Sequence, residues 1–258
     1  MLNKCTILDT LDDPAIIERL ASRREMLRRT GRLGGVLALA SVPAALGVFA
    51  KSAFAQSTTL PQQIKDVLNF ALTLEHLENE FYRTALASSG LIPAADVPVF
   101  RQISQHETAH VALLQSTLGA DAVAKPTFDF TAGGQFGDVF TNYATFQALS
   151  QGFEDTGVRA FKGQVTALQS NDDILTTALR IHSVEARHAS EVRRLRGQKG
   201  WVTGNTTDVP ALTPVYAGED NTTQAGVALP AGDAASEAFD EPLSMDQVLA
   251  IANRFIKK

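Results

Sequence analysis

One pattern occurs twice in the chain, and it restricts the fold more than any other feature. Glu75 is followed 32 residues later by Glu107-Thr108-Ala109-His110, and Glu154 is followed 31 residues later by Glu185-Ala186-Arg187-His188. Residues three apart on an α-helix share a face, so each Glu-x-x-His presents an oxygen and a nitrogen together. In each half the leading Glu falls on one predicted helix and the Glu-x-x-His on the next. Seven residues after each leading Glu stands an aromatic, Tyr82 and Phe161, two turns along the same face. Two such hairpins laid together would bring Glu75, Glu107, His110, Glu154, Glu185 and His188 to one point.

The hydrophobic periodicity supports four helices. Leu68, Ala71, Leu72, Glu75, Asn79, Tyr82 and Leu86 form one stripe, which predicts a helix from Pro61 to Leu86. Ser88-Ser89-Gly90 ends it. The second helix is expected from Asp96, a plausible N-cap followed by Pro98, to Leu118, with Gly119 as the stop. The third is placed at Asp138–Gln169, although Gly152, Gly157 and Gly163 weaken its pattern. Asn171-Asp172-Asp173 opens the fourth, which runs to Arg196 with Arg193, Arg194 and Arg196 at the negative pole of its dipole.

The connections are short, long, short, the long one spanning residues 119–137. That order predicts an all-α, ferritin-like four-helix bundle with a single long crossover. The expected division is an export signal over 1–55, the bundle over 56–197 and a loop-rich tail over 198–258. Ser244-Met245-Asp246-Gln247 is a capping-box pattern for a short final helix through Ile256, whose Leu249 and Phe255 could dock on the bundle or a neighbouring subunit.

Three of the carboxylates interrupt apolar stripes. Leu72 and Tyr82 flank Glu75, Ile103 and Leu114 flank Glu107, and Ile181 and Val192 flank Glu185. An unpaired carboxylate buried there would cost several kcal/mol, so it must be protonated, paired or metal-bound. Four carboxylates carry a charge that two divalent cations neutralise, and oxygen-rich ligation with two imidazoles suits two Fe or Mn ions. Glu154 lies on a less apolar stripe, among Gln147, Ser150, Gln151 and Gly157. Glu78, one turn beyond Glu75, is an alternative or auxiliary ligand; a solvated position is expected for it and Glu75 is preferred.

The first segment points outside the cytoplasm. Ser22-Arg23-Arg24-Glu25-Met26-Leu27-Arg28 precedes the apolar run 33–50, and Ala53-Phe54-Ala55 offers a small-x-small cleavage pattern. This resembles a twin-arginine export signal, implying a bacterial periplasmic or secreted protein with no stable membrane anchor after cleavage. Residues 1–55 hold eight Lys/Arg and five Asp/Glu; without them 15 basic and 23 acidic residues remain. That acidic balance argues against nucleic-acid binding. The only cysteine, Cys5, lies in the same segment, so thiolate nucleophiles, disulfides and Cys-ligated metals are not expected beyond it.

Leu68-Asn69-Phe70-Ala71-Leu72-Thr73-Leu74-Glu75-His76-Leu77-Glu78, then Phe81-Tyr82-Arg83, resembles the first helix of the ferritin-like family that includes plant desiccation-related proteins and exported bacterial relatives. Ala238-Phe239-Asp240-Glu241-Pro242-Leu243 resembles their tail. The resemblance implies the six-ligand dinuclear site, and relatives such as ferritins, bacterioferritins, rubrerythrins and manganese catalases oxidise ferrous iron or remove peroxide. Many dinuclear oxidases carry Asp immediately before each Glu-x-x-His to orient a ligand imidazole. Here those positions are His106 and Val184, so that support must differ.

Other polar residues receive plainer roles. Tyr82 is expected to hydrogen-bond a ligand carboxylate or fill core. His182, one turn before Glu185, is an extra ligand, a proton relay or a polar neighbour. Arg187 pairs with a core carboxylate or, by default, is solvated. His76 and His106 are read as structural. The expected activity is oxidation–reduction with a small-molecule oxidant or metal ion as partner, and the rivals are a non-enzymatic stress protein and an iron-storage shell. A homo-oligomer is compatible with all three.

Overall fold

In a computed structural model the described residues are 60–230 and 232–257. The expected export signal lies outside them. Four long helices dominate: α1 (Gln62–Ala87), α2 (Val97–Leu118), α3 (Tyr143–Leu168) and α4 (Asp172–Leu195). Helix α1 packs along α2, α3 along α4, and α1 against α3, giving the four-helix bundle with its long connection between α2 and α3. No helix among the described residues is long and apolar enough to cross a membrane. The tail adds a 3₁₀ turn (Pro210–Tyr216), a two-stranded ribbon of β1 (Thr223–Gln224) and β2 (Val227–Ala228), and the short helices α5 (Asp233–Glu237) and α6 (Met245–Ala252).

Local chemistry sets the helix boundaries. Gly119 closes α2 at φ +57°, a conformation side chains with a Cβ rarely adopt. Asn171 caps α4 by accepting from Ile174 N, and Ser244 with Gln247 forms the full capping box of α6. Two boundaries differ from expectation. Helix α3 starts at Tyr143, not Asp138, because Asn142 takes an extended conformation and its side chain accepts from Ala144 N and Thr145 N. Asp138 instead closes a turn, accepting from Thr141 N at 2.9 Å and Asn142 N at 2.8 Å. Helix α6 stops at Ala252 because the chain then straightens, pairing Ile256 with Phe128 of the crossover. Asp96 precedes α2 but does not cap it; its Oδ2 accepts from the Tyr143 hydroxyl at 2.7 Å.

The core divides into two apolar clusters. One is aromatic, with Phe81 contacting Phe130, Phe146 and Phe153 at centroid separations of 5.2, 5.2 and 4.9 Å. The other is aliphatic, built on Ile64, Leu68, Leu72, Leu114, Leu168 and Ile181. On every long helix the polar residues of the repeat fall between the two. The apolar clusters supply the burial free energy that drives folding, and the polar layer between them must be satisfied by other means.

The tail covers the aromatic end. Phe255 is fully buried and packs edge-on against Phe153, with centroids 4.9 Å apart. The three glycines that weakened the pattern of α3 do not interrupt it; they are points of close approach. A Cβ on Gly163 would sit 2.0 Å from the Leu243 carbonyl oxygen, and one on Gly152 would sit 3.1 Å from Leu212. Hydrogen is the only substituent that lets the tail backbone cross α3 at Gly163.

Candidate metal centre

The repeat does converge. Glu75, Glu107, Glu154 and Glu185 have no exposed surface, and His110 and His188 are buried beside them. Two groups of ligand atoms result, each with all members within 4.8 Å of one another: Glu75, Glu107, His110 and Glu185, then Glu107, Glu154, Glu185 and His188. His110 Nδ1 lies 3.2 Å from Glu75 Oε2, 3.3 Å from Glu107 Oε2 and 3.0 Å from Glu185 Oε1. His188 Nδ1 lies 3.0 Å from Glu107 Oε1, 3.2 Å from Glu154 Oε2 and 3.4 Å from Glu185 Oε2.

The sharing follows a rule. Glu107 and Glu185 each send one oxygen to each imidazole, whereas Glu75 serves only the His110 side and Glu154 only the His188 side. One N–H can satisfy one acceptor well, and here each imidazole nitrogen faces three carboxylates. Accordingly Glu75 Oε1, Glu107 Oε1 and both oxygens of Glu185 have no hydrogen-bond partner, although all are buried. Orphaned buried carboxylate oxygens are costly, and cations at the two foci would satisfy them. The donor set, four carboxylates and two imidazoles on four helices, fits two metal ions.

The protonation pattern of the protein alone points the same way. Burial by itself would lower both imidazoles, but the carboxylates outweigh it, Glu75 foremost at His110 and Glu154 at His188. Both are held protonated, His188 up to about 12. Burial raises Glu75, and raises Glu154 to about 8. Burial also acts on Glu107 and Glu185, yet the two adjacent charged imidazoles prevail and hold both below the usual carboxylate range. Protons on the imidazoles thus occupy the electrostatic role that cations would take.

Glu78 is a correction to the sequence reading. It is buried, not solvated, and its carboxyl is pushed well up, first by burial and then by Glu185 and Glu154. Its Oε1 lies where a Cβ on Gly157 would be only 3.2 Å away, so Gly157 makes room for it. A fifth carboxyl group therefore enters the layer, alongside Glu75 and not in its place.

Tyr82 does reach a carboxylate: its hydroxyl donates to Glu154 Oε1 at 2.5 Å. His106 was missed. Its Nδ1 lies 2.9 Å from His188 Nε2, the two rings stack at 5.1 Å, and the Gln102 side-chain amide lies 2.7 Å from His106 Nε2. The residue preceding a Glu-x-x-His thus does support an imidazole, with histidine in place of aspartate and across to the other hairpin.

The remaining candidates lie elsewhere. His182 is outside both groups and half-buried, with burial and Lys162 lowering its pKa. Arg187 is exposed, and among the described residues it makes no ion pair. Two buried carboxylates do find an arginine: Glu219 with Arg159 at 2.9 Å, and Asp155, adjacent to Glu154. Asp155 pairs with Arg193 and accepts from the Tyr216 hydroxyl at 2.8 Å. No spacing rule reveals the Tyr216 contact, because Tyr216 arrives from the tail.

An apolar cavity lies one turn from the layer on the aliphatic side, lined among others by Ala71, Leu114, Phe161, Ala178 and Ile181. Ala71, Leu114 and Ile181 are each four residues from Glu75, His110 and Glu185 respectively.

With this geometry in view, the comparison with known families is decisive: the family described as "Ferritin-like domain" matches residues 64–198, just over half of the chain. The chain belongs to this ferritin-like family. The matched span runs from Ile64, in the first turn of α1, past the end of α4 and includes all six side chains of the two groups. No curated protein matches this ferritin-like chain.

Proposed function

We propose that the polar layer is a dinuclear iron or manganese centre and that the protein is an oxidoreductase acting on peroxide, dioxygen or ferrous iron. The observation that carries this reading is the division of oxygens: Glu107 and Glu185 each turn one oxygen to either imidazole, as bridging ligands between two ions would. Glu75 and His110 would complete one position, Glu154 and His188 the other. When bound, Fe or Mn would supply one- or two-electron exchange with a small oxidant. The chain's own residues fix the rest. Tyr82 orients Glu154, His106 orients His188, and the apolar clusters on either side keep bulk water from the layer.

Location is part of the same proposal. The arginine pair and the Ala53-Phe54-Ala55 pattern support export to the periplasm or beyond, and a twin-arginine route carries folded proteins, so the metals would be loaded first. The desiccation-related branch is proposed on the sequence resemblance alone.

Elemental analysis of protein matured in an iron- or manganese-replete host tests the reading, and about two metals per chain are expected. Markedly less than one metal per chain would overturn it. On the same sample, peroxide and ferrous-oxidation assays decide the chemistry. Full loading without turnover would mark a non-enzymatic stress role, and a large multi-subunit shell by light scattering would mark iron storage.

A further inference from the structure

The internal repeat lets the two halves of the centre be compared residue by residue. Three positions after the leading glutamate stand Glu78 in the first hairpin and Gly157 in the second. Seven positions after it stand Tyr82 and Phe161, and immediately before each Glu-x-x-His stand His106 and Val184. The first hairpin holds the polar member of every pair. The side chains of Gly157, Phe161 and Val184 can neither donate nor accept a hydrogen bond.

These polar residues reach across to the second hairpin. The Tyr82 hydroxyl donates to Glu154 Oε1, and His188 Nδ1 contacts Glu154 Oε2, so both oxygens of Glu154 are partnered. His106 meets the far nitrogen of His188 and is itself held by Gln102. Glu78 lies against Gly157, three residues from Glu154. On the other side, Glu75 Oε1 has no partner, and among the described residues no side chain outside the six hydrogen-bonds Glu75 or His110. One half of the layer is braced by hydrogen bonds from Tyr82 and His106, and the other has no such brace among the described residues.

We propose that the two metal positions are unequal by construction: the position at Glu154 and His188 is the tight one and fills first, the position at Glu75 and His110 is weaker and exchangeable, and His106 is the positioning residue that sets the difference. This inference rests on the two-metal reading above. Its physical basis is orientation. An imidazole already held in its ligating pose loses less freedom when a metal arrives, and removing such a partner weakens metal binding by roughly 10- to 100-fold.

The test is a calorimetric titration of the metal-free full chain with Mn(II) alone. Two steps at least about tenfold apart in Kd are expected for the native protein. His106→Val should weaken the tighter step by about 10- to 100-fold and leave the weaker one within about twofold. His110→Ala should remove only the weaker step. A substitution that merely loosened the fold would weaken both steps alike, and that result would overturn the assignment of His106. Should His106→Val fail to fold, native crystals grown with one equivalent of Mn(II) decide the question through anomalous density, expected beside His188. Equal steps, or density shared evenly or beside His110, would sink the inference while leaving two bound metals intact. Failure to bind any Mn(II) would remove both this inference and the reading beneath it.

Discussion

The two ends of the bundle, either side of the carboxylate layer, solve the same packing problem differently. The aromatic end interlocks Phe81, Phe130, Phe146 and Phe153, and the tail closes over it with Leu243, Val248 and Phe255. Among the described residues the aliphatic end is built mainly from the four long helices, with Met245 of the tail at its edge, and it retains a cavity between Ala71, Leu114, Phe161 and Ala178. Flat rings meeting edge to face fill space in fixed geometry, whereas the aliphatic side chains at the other end leave a gap. Among the described residues the tail buries its side chains in the core at the aromatic end and touches the aliphatic end only through the half-buried Met245, so the carboxylate layer is framed by two differently built walls.

The most severe way to break this contrast is at its aromatic centre. Phe81→Ala should cost about 3–5 kcal/mol in denaturant unfolding of the metal-free protein, because five aromatic neighbours surround that ring. Leu114→Ala, beside the cavity, should fall at the low end of about 2–5 kcal/mol. Equal losses would remove the distinction between the ends.

The layer between the ends makes a prediction about protons. Metal binding must displace the protons held by His188, at about 12, and by Glu154, at about 8. These groups are protonated below those values in the metal-free state, and a metal takes only the deprotonated forms, so acid weakens binding. Mn(II) affinity should therefore rise between pH 6 and 8 by at least about tenfold per pH unit, the slope for one proton released. Calorimetry in two buffers of different ionisation enthalpy counts those protons; a pH-independent affinity would contradict the protonation pattern.

Gly163→Ala tests the cover itself. The added methyl would meet the Leu243 carbonyl oxygen, so the tail must lift, at a cost of about 1–3 kcal/mol. Limited proteolysis should then cut residues 238–250 faster than α1–α4. The smallest effect is expected from filling the cavity. Ala178→Met should be neutral or stabilising by less than about 1 kcal/mol, since a flexible thioether adapts to an irregular gap. Ala85→Met at the packed aromatic end should destabilise by about 1–3 kcal/mol. A pair of thermal melts distinguishes the two signs.

Much of this was legible in the sequence because helical periodicity is a local property. The short-long-short connections gave the bundle its wiring, and the doubled Glu-x-x-His spacing placed Glu75, Glu107, His110, Glu154, Glu185 and His188 in one layer. What escaped depended on contacts between helices. The burial of Glu78 becomes visible only when Gly157 of α3 is seen opposite it. His106 looked structural because its partner, His188, is 82 residues away on α4. The start of α3 was misjudged because Asp138 and Asn142 are both good caps, and the choice fell to the turn that Asp138 closes. The Tyr216 hydroxyl on Asp155 could not be read from spacing, because it depends on the path of the tail.

The pairing of the tail with the crossover has a consequence for the order of events in synthesis. Asp129 N donates to the Phe255 carbonyl and Lys257 N to the Thr127 carbonyl, each at 2.8 Å. A ribosome builds all four long helices before it reaches Phe255, so the nascent bundle passes through an interval with its Phe153 wall bare. Whatever attends the chain during that interval meets an uncovered aromatic surface, which disappears when residues 255–257 zip onto 127–129.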